Sequence, residues 1–318
     1  MPPSATKRFD IEISEVGPRD GLQSVSAIMS TADKKHWISA LAAAGLPEIE
    51  VGSFVPAKIL PQLADTAEMV EHAQRIQGLS VTVLVPNAKG AENALKAGAR
   101  KMSIPLSASE THSLRNVRRT HTQMLAEVRA IRAMFDALPA ADRPFFEGGL
   151  ATAFGCTLEG QVPEDRVVRL AEQLLEAGCD AVGLSDTTGF ANPKQVKRLT
   201  RKVWAAVGRE NLTGIHLHNT RGQGLANALA AVEVGLTTVD SSMAGIGGCP
   251  FAPGASGNIV TEDLVFLLES MGLKTGVNFA KLLEARKILA AALPGVELYG
   301  FTPDAGLPKG FVPATVQE

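Results

Sequence analysis

Cysteine is scarce in this chain: three in 318 residues, at positions 156, 179 and 249. An odd, widely spaced set with no CxxC cannot form a disulfide framework. That excludes the small stapled secreted folds and fits a reducing, cytoplasmic setting. Neither sign of charge is in excess, the formal net charge being −2, so nothing electrostatic argues for a nucleic-acid partner. No apolar run approaches the roughly 20 residues that span a bilayer, and "MPPSATKRFD" lacks the apolar stretch of a signal peptide. No GxGxxG or GxxxxGK[ST] follows the first strand, which argues against a Rossmann or P-loop site. What is present is an ordinary globular composition, 45% apolar and 20% charged, in a chain long enough for one large core or two.

Short β-branched segments alternate with longer ones of helical period. The strand-like segments are 9–16, 47–54, 80–86, 100–106, 144–154, 179–186, 211–218 and 236–242. Helical stretches fall near 31–45 (with Thr31 as N-cap), 64–77, 88–97, 113–138, 163–177, 193–207, 222–234 and 261–271. Four helices end in a similar corner, "LAAAGLPEIEV", "ALKAGARKMSI", "LLEAGCDAVGL" and "AVEVGLTTVDS". In each, glycine caps the helix and a buried strand follows. Eight strand-then-helix units in about 260 residues predict an α/β fold, a closed (β/α)8 TIM barrel, better than a doubly wound sheet. The barrel is expected over 1–300 and a short Pro/Gly-rich surface extension over 301–318. Chemistry is then expected at the carboxyl ends of the strands.

Several polar residues fall there. "HLH" ends the seventh strand, so His216 and His218 share the face toward the barrel axis, about 6.6 Å apart along the strand. They read either as a hydrogen-bonded pair or, at a barrel mouth, as ligands of a divalent metal. "GPRDGLQ" after the first strand sets Arg19 beside Asp20: a common turn taken alone, a hard ligand next to a cation at this position. Glu50, between Ile49 and Val51, either points outward or enters the barrel, where it requires a cation such as Arg19. Asp186 in "LSDTTG" ends the sixth strand with Thr187 and Thr188, as a site acid or as a cap. The Gly/Pro-rich "GGCPFAPGASGN" after the eighth strand carries Cys249 and Asn258 and offers little apolar packing for a structural thiol.

The stretches "EVGPRDGLQ", "IEVGSFVPAKILPQLAD", "HLHNTRGQGLANALAAVEVG" and "VDSSMAGIGGCPFAPGASGNIVTEDLVFLLESMG" together resemble the 3-hydroxy-3-methylglutaryl-CoA lyase family, from about residue 10 to 290. These are metal-dependent TIM-barrel lyases. The resemblance implies Mg²⁺ or Mn²⁺ on Asp20, His216, His218 and Asn258. It implies catalytic roles for Arg19, Glu50, Asp186 and Cys249, and a substrate pocket touching Gln23, His112, Thr187 and Arg221. The implied reaction divides a 3-hydroxy-3-methyl acyl-CoA, hydroxymethylglutaryl-CoA, into acetyl-CoA and acetoacetate. The implied partner is that small-molecule acyl-CoA, with no nucleic acid and no membrane, in a homodimer by analogy.

The chain departs from the family pattern at Asn219, at Arg221, in "GCTLEG" and at His112. His112 and Arg221 motivate a second reading, a citramalyl-CoA lyase releasing pyruvate. A third, an acyl-CoA/2-oxo acid condensing enzyme, shares the arginine–aspartate turn and the HxH strand. It is disfavoured because the family's "GxGERxGN" is absent and 318 residues leave no room for a regulatory region.

Overall fold

The computed structural model describes residues 9–247 and 257–316. Eight parallel strands close into a barrel in sequence order. They are β1 (Glu12–Glu15), β2 (Glu48–Ser53), β3 (Ser80–Leu84), β4 (Lys101–Ser107), β5 (Phe145–Ala151), β6 (Ala181–Asp186), β7 (Gly214–Leu217) and β8 (Thr238–Ser241). Closure is made where β1 meets β8, with Ile13 opposite Val239. Along each strand, alternate residues divide between two environments. Ile13, Ile49, Val83, Met102, Phe146, Leu184, Ile215 and Val239 are buried against the surrounding helices. Their neighbours Ser14, Glu50, Thr82, Ser103, Glu147, Ser185, His216 and Asp240 line a cavity inside the barrel.

All eight predicted strands and the four glycine corners are present, with Gly45, Gly98, Gly178 and Gly235 at φ of 99°, 84°, 112° and 112°. Three helix expectations need correction. Ser30, not Thr31, caps the helix Thr31–Ala43, its Oγ accepting from the Asp33 amide at 3.1 Å. The stretch read as one helix over 113–138 is two, Glu110–Asn116 and His121–Asp136. The chain breaks at Arg118 (φ 56°), and Thr120 with Gln123 forms a capping box for the second helix. A further helix, Phe279–Ala292, was not foreseen and packs against Thr31–Ala43.

The segment after residue 300 lies along the helix Thr261–Ser270. Asp263 accepts the Phe301 and Thr302 amides at 3.0 and 2.7 Å, and Glu269 accepts the Thr315 amide at 2.7 Å. No helix among the described residues is long and apolar enough to cross a membrane.

Candidate active site

At the carboxyl ends of the strands, Asp20, His216 and His218 bring one ligand atom each within 4.8 Å of one another. His216 and His218 leave β7 on the same side, their Nε2 atoms 3.0 Å apart. Asp20 Oδ2 lies 3.9 Å from His216 Nε2 and 3.8 Å from His218 Nε2. Around an octahedral ion with bonds of about 2.1 Å, ligands lie about 3.0 Å apart when adjacent and about 4.2 Å when opposed. The His216–His218 separation matches an adjacent pair, and the other two are short enough for one ion to reach all three atoms. Two nitrogens and one carboxylate oxygen also suit a borderline or hard divalent ion.

The surroundings orient this trio. Asp240, which the sequence reading missed, sits 3.1 Å from His216 Nδ1. Accepting that proton fixes the tautomer and turns the bare Nε2 toward the cluster. Asn258 donates Nδ2–H to Asp20 Oδ2 at 2.7 Å and to the Ile246 carbonyl at 3.2 Å. Its Oδ1 and His218 Nδ1 are buried without a hydrogen-bond partner among the described residues. A half-turn of the Asn258 amide would exchange its nitrogen for that oxygen on the side facing Asp20. Gly247 (φ 111°) lies against Asn258 and the backbone of Asp20 and Gly21, where a Cβ would collide with the Asn258 amide.

Arg19 and Asp20 come from a one-turn π-helical segment, Gly17–Gly21. The Arg19 guanidinium is clamped between Glu50 (Nε–Oε2 2.5 Å) and Asp20 (Nη1–Oδ1 2.5 Å). Glu50 also accepts from Ser103 Oγ at 3.2 Å, so it enters the barrel and finds its cation. Gln23 Nε2 donates to Asp20 Oδ1 at 2.8 Å. Burial pushes the Asp20 carboxyl up, but the Arg19 charge and the two histidines outweigh it and hold it far below the usual range. Burial pulls His216 down, while the Asp240 hydrogen bond and the Asp20 and Asp240 charges carry it above its ordinary value.

Beneath this turn lies Glu15, a buried acid on the helix-facing side of β1. It accepts the Gly17 and Met243 amides at 2.9 and 2.8 Å and the Thr261 hydroxyl at 2.6 Å. One carboxylate thus ties the Arg19–Asp20 turn to the segment after β8 that leads toward Asn258. A charged residue on an apolar face was the available signal.

The remaining candidates divide. His112 and Thr187 line the cavity. His112 Nδ1 is 2.7 Å from Ser107 Oγ, and Thr187 Oγ1 accepts the Thr152 amide at 2.9 Å. Asp186 is not brought to the cavity wall. Its carboxylate accepts the Phe190 and Ala191 amides at 2.8 and 3.1 Å, bracing the loop after β6. Burial raises its pKa to about 6 despite those two donors. Arg221 also points elsewhere, donating to the Thr188 and Gly189 carbonyls at 3.0 and 2.9 Å and stacking on Phe190. Cys249 lies outside the described residues.

The HMGL-like family model matches residues 10–289. The chain belongs to that family. Among HMGL-like relatives, the hydroxymethylglutaryl-CoA lyase YngG of Bacillus subtilis is 41% identical over 277 residues, spanning 87% of this chain and 91% of that protein. The human mitochondrial hydroxymethylglutaryl-CoA lyase is 40% identical over 283 residues, spanning 89% and 86%. A solved HMG-CoA lyase from Acinetobacter baumannii, in complex with coenzyme A and 3-methylmalate, superposes with a TM-score of 0.89 at 40% identity, covering 98% of this chain and 99% of that one.

Proposed function

We propose that this chain is a divalent-metal-dependent carbon–carbon lyase that cleaves hydroxymethylglutaryl-CoA to acetyl-CoA and acetoacetate. The convergence of Asp20, His216 and His218 beside the clamped Arg19, inside an HMGL-like barrel, carries the reading. Relatives from Bacillus subtilis and human bear the name of that activity.

Asp20, His216 and His218, with Asn258, would hold Mg²⁺ or Mn²⁺, which would supply Lewis acidity that eases loss of the proton from the substrate's tertiary hydroxyl. The chain does the rest. Asp240 keeps His216 in the tautomer that leaves Nε2 for ligation. As the hydroxyl gives up its proton to solvent and becomes the ketone, the bond to the carbinol carbon breaks, its electron pair passes to the thioester fragment, and charge develops on the thioester oxygen. The Arg19 guanidinium, already desolvated and fixed by two carboxylates, offers its remaining N–H groups to that charge without reorganising. Glu50 holds the guanidinium in place, and Gln23, His112 and Thr187 line the space around the acyl group. Cys249, on the glycine-rich loop, is assigned the proton that the enolate carbon requires. Asp186 and Arg221 act at one remove, by fixing the loop after β6.

That placement of Arg221 weighs against the citramalyl-CoA reading, because one of its two motives does not face the cavity. Named lyases among the relatives weigh against a condensing enzyme. The buried free cysteines Cys156 and Cys179 suit a reducing, cytoplasmic enzyme, and a homodimer is assigned by analogy with other barrels. Incubating the protein with hydroxymethylglutaryl-CoA and Mn²⁺ or Mg²⁺ tests the reading. Metal-dependent release of acetyl-CoA and acetoacetate in equal amounts is expected; no release with either metal contradicts it.

A further inference from the structure

Below the metal trio the barrel interior is open rather than packed. In barrels of this type the axis is filled by layers of bulky branched side chains. Here the layer directly beneath the trio is glycine on three adjacent strands, Gly149 pairing with Gly183 and Gly183 with Gly214. Gly214 stands two residues before His216 on the same inward face, about 6.6 Å lower along the strand. A Cβ on Gly149 would meet nothing nearer than the Ile104 carbonyl at 3.9 Å. One cavity of about 930 Å³ accordingly runs from the mouth, past His216 and His218, to Glu12, Phe145 and Thr213 at the amino-terminal base. Phe145 and Thr213 are both exposed, so this end of the cavity also reaches solvent.

One acid in this space is held loosely. Asp20 and Glu50 clamp Arg19, Asp240 meets His216, and Glu48 binds Lys101 Nζ with both oxygens at 2.7 and 2.9 Å. Glu147, two residues before Gly149 on β5, stands 3.9 Å from the same ammonium. Its side chain rises into the glycine layer, where Oε1 lies 2.7 Å from the place a Cβ on Gly183 would take. It lines the cavity, and 28% of the side chain is open to water. Withdrawal from bulk water raises its pKa to about 7; the Lys101 charge pulls it down, and the Asp240, Glu48 and Glu50 charges push it up again. The Cys179 thiol, behind Gly148, also interacts with it, and burial keeps that thiol protonated. A carboxyl poised near neutral pH can both take a proton and let it go.

We propose that Glu147 receives, through water in the glycine layer, the proton that the substrate's tertiary hydroxyl loses, and passes it to solvent at the base of the barrel. This rests on the lyase reading above and deepens it. The thioester arm of a bound substrate leaves by the mouth and obstructs that way out, whereas the base stays clear. One layer, about 6.6 Å along the axis, is a gap that about one or two waters bridge at ordinary hydrogen-bond spacing. In the step, the O–H bond breaks and its electron pair becomes the second bond of the ketone. The pair of the broken carbon–carbon bond goes to the thioester α-carbon, which takes its proton from Cys249. The hydroxyl proton stays on Glu147 until water at the base removes it. Glu147 thus acts as a relay and does not touch the substrate.

The test is single-turnover cleavage of hydroxymethylglutaryl-CoA at saturating Mn²⁺, followed across neutral pH. Only ionised Glu147 can accept, so the wild-type rate should rise with pH through about 7 and then level. Glu147→Gln accepts no proton. Its plateau rate is expected to fall by about 10- to 100-fold and its rising limb to vanish, with Mn²⁺ and substrate affinity unchanged. Glu147→Asp, which keeps the carboxylate, should keep the limb. A purely structural defect would instead lower the rate evenly and leave the limb in place. Added formate should restore the rate of Glu147→Ala and leave wild type unmoved. Thr213→Trp narrows the base and should slow the same step; a rate equal to wild type contradicts the exit there. A Glu147→Gln protein that keeps the limb, or that cleaves as fast as wild type, overturns this inference alone. Wild type that cleaves no thioester overturns the lyase reading, and the relay with it.

Discussion

Asp20 and Asp186 occupy equivalent places, each an acid at the carboxyl end of a barrel strand, yet they do opposite things. Asp20 follows β1 in a one-turn π-helical segment, where Arg19, Gln23 and Asn258 all hold its oxygens. It faces two histidines and is held ionised. Asp186 ends β6 and turns back on its own loop, where two backbone amides take its oxygens and burial favours the protonated form. The end of a strand offers a side chain to the site. What the next few residues demand of it decides whether it stays there.

The largest effect expected around the Asp20 cluster is from Arg19→Met. Turnover should fall on the order of 10³-fold with Mn²⁺ affinity nearly unchanged, because the contact belongs to the charge developing in the transition state. A rise in KM with turnover intact would place Arg19 in substrate binding instead. Next comes Asp240→Ala, which removes the acceptor for His216 Nδ1–H and should weaken Mn²⁺ binding and activity together by about 10- to 100-fold. Metal titration as in wild type would show that the His216 tautomer is set elsewhere.

Asp186→Asn should act as a loop defect. It is expected to cost about 1–3 kcal/mol of stability, with the Mn²⁺ affinity kept and a smaller loss of activity than either variant above. A loss of Mn²⁺ binding would put Asp186 in the metal site after all.

The finest contrast between the two acids is in pH. The folded pKa of Asp186 lies above its unfolded value, so its contribution to stability declines as pH rises from about 4 to about 6. The Asp186→Asn deficit should shrink across that window. Asp20 is depressed, so its contribution is present above the ordinary aspartate pKa and is lost as pH falls below about 4. In metal-free protein the Asp20→Asn deficit should therefore grow from pH 3 to pH 5. Thermal melts of both variants across pH 3–7 read this directly; parallel trends would erase the distinction.

The barrel was legible because its signals are periodic. Eight alternating segments, four of them entered through a glycine corner, leave little freedom in topology. The HxH pair and the Arg–Asp turn were legible for the same reason, since strand period and strand end fix which way a side chain faces. What was missed depends on contacts across strands. The Asp186 contact with the Phe190 and Ala191 amides is local, of the backbone-capping kind that the sequence offered beside a site role, but nothing local says that Arg221, from beyond β7, will reach the carbonyls of the same loop. Asp240 carried a usable signal, an acid alternating with Val239 on β8, but its meaning came only with His216 on the neighbouring strand. The break at Arg118 shows the converse: helical period continued through 117–120, and the chain used Thr120 to start a new helix.

The central claim is that Asp20, His216 and His218 hold one divalent ion, and Mn²⁺ titration followed by electron paramagnetic resonance tests it most directly. Wild type and Asp186→Asn should each bind one Mn²⁺ per chain, and His218→Ala should lose that binding together with activity. A His218→Ala protein that titrates like wild type would contradict the account.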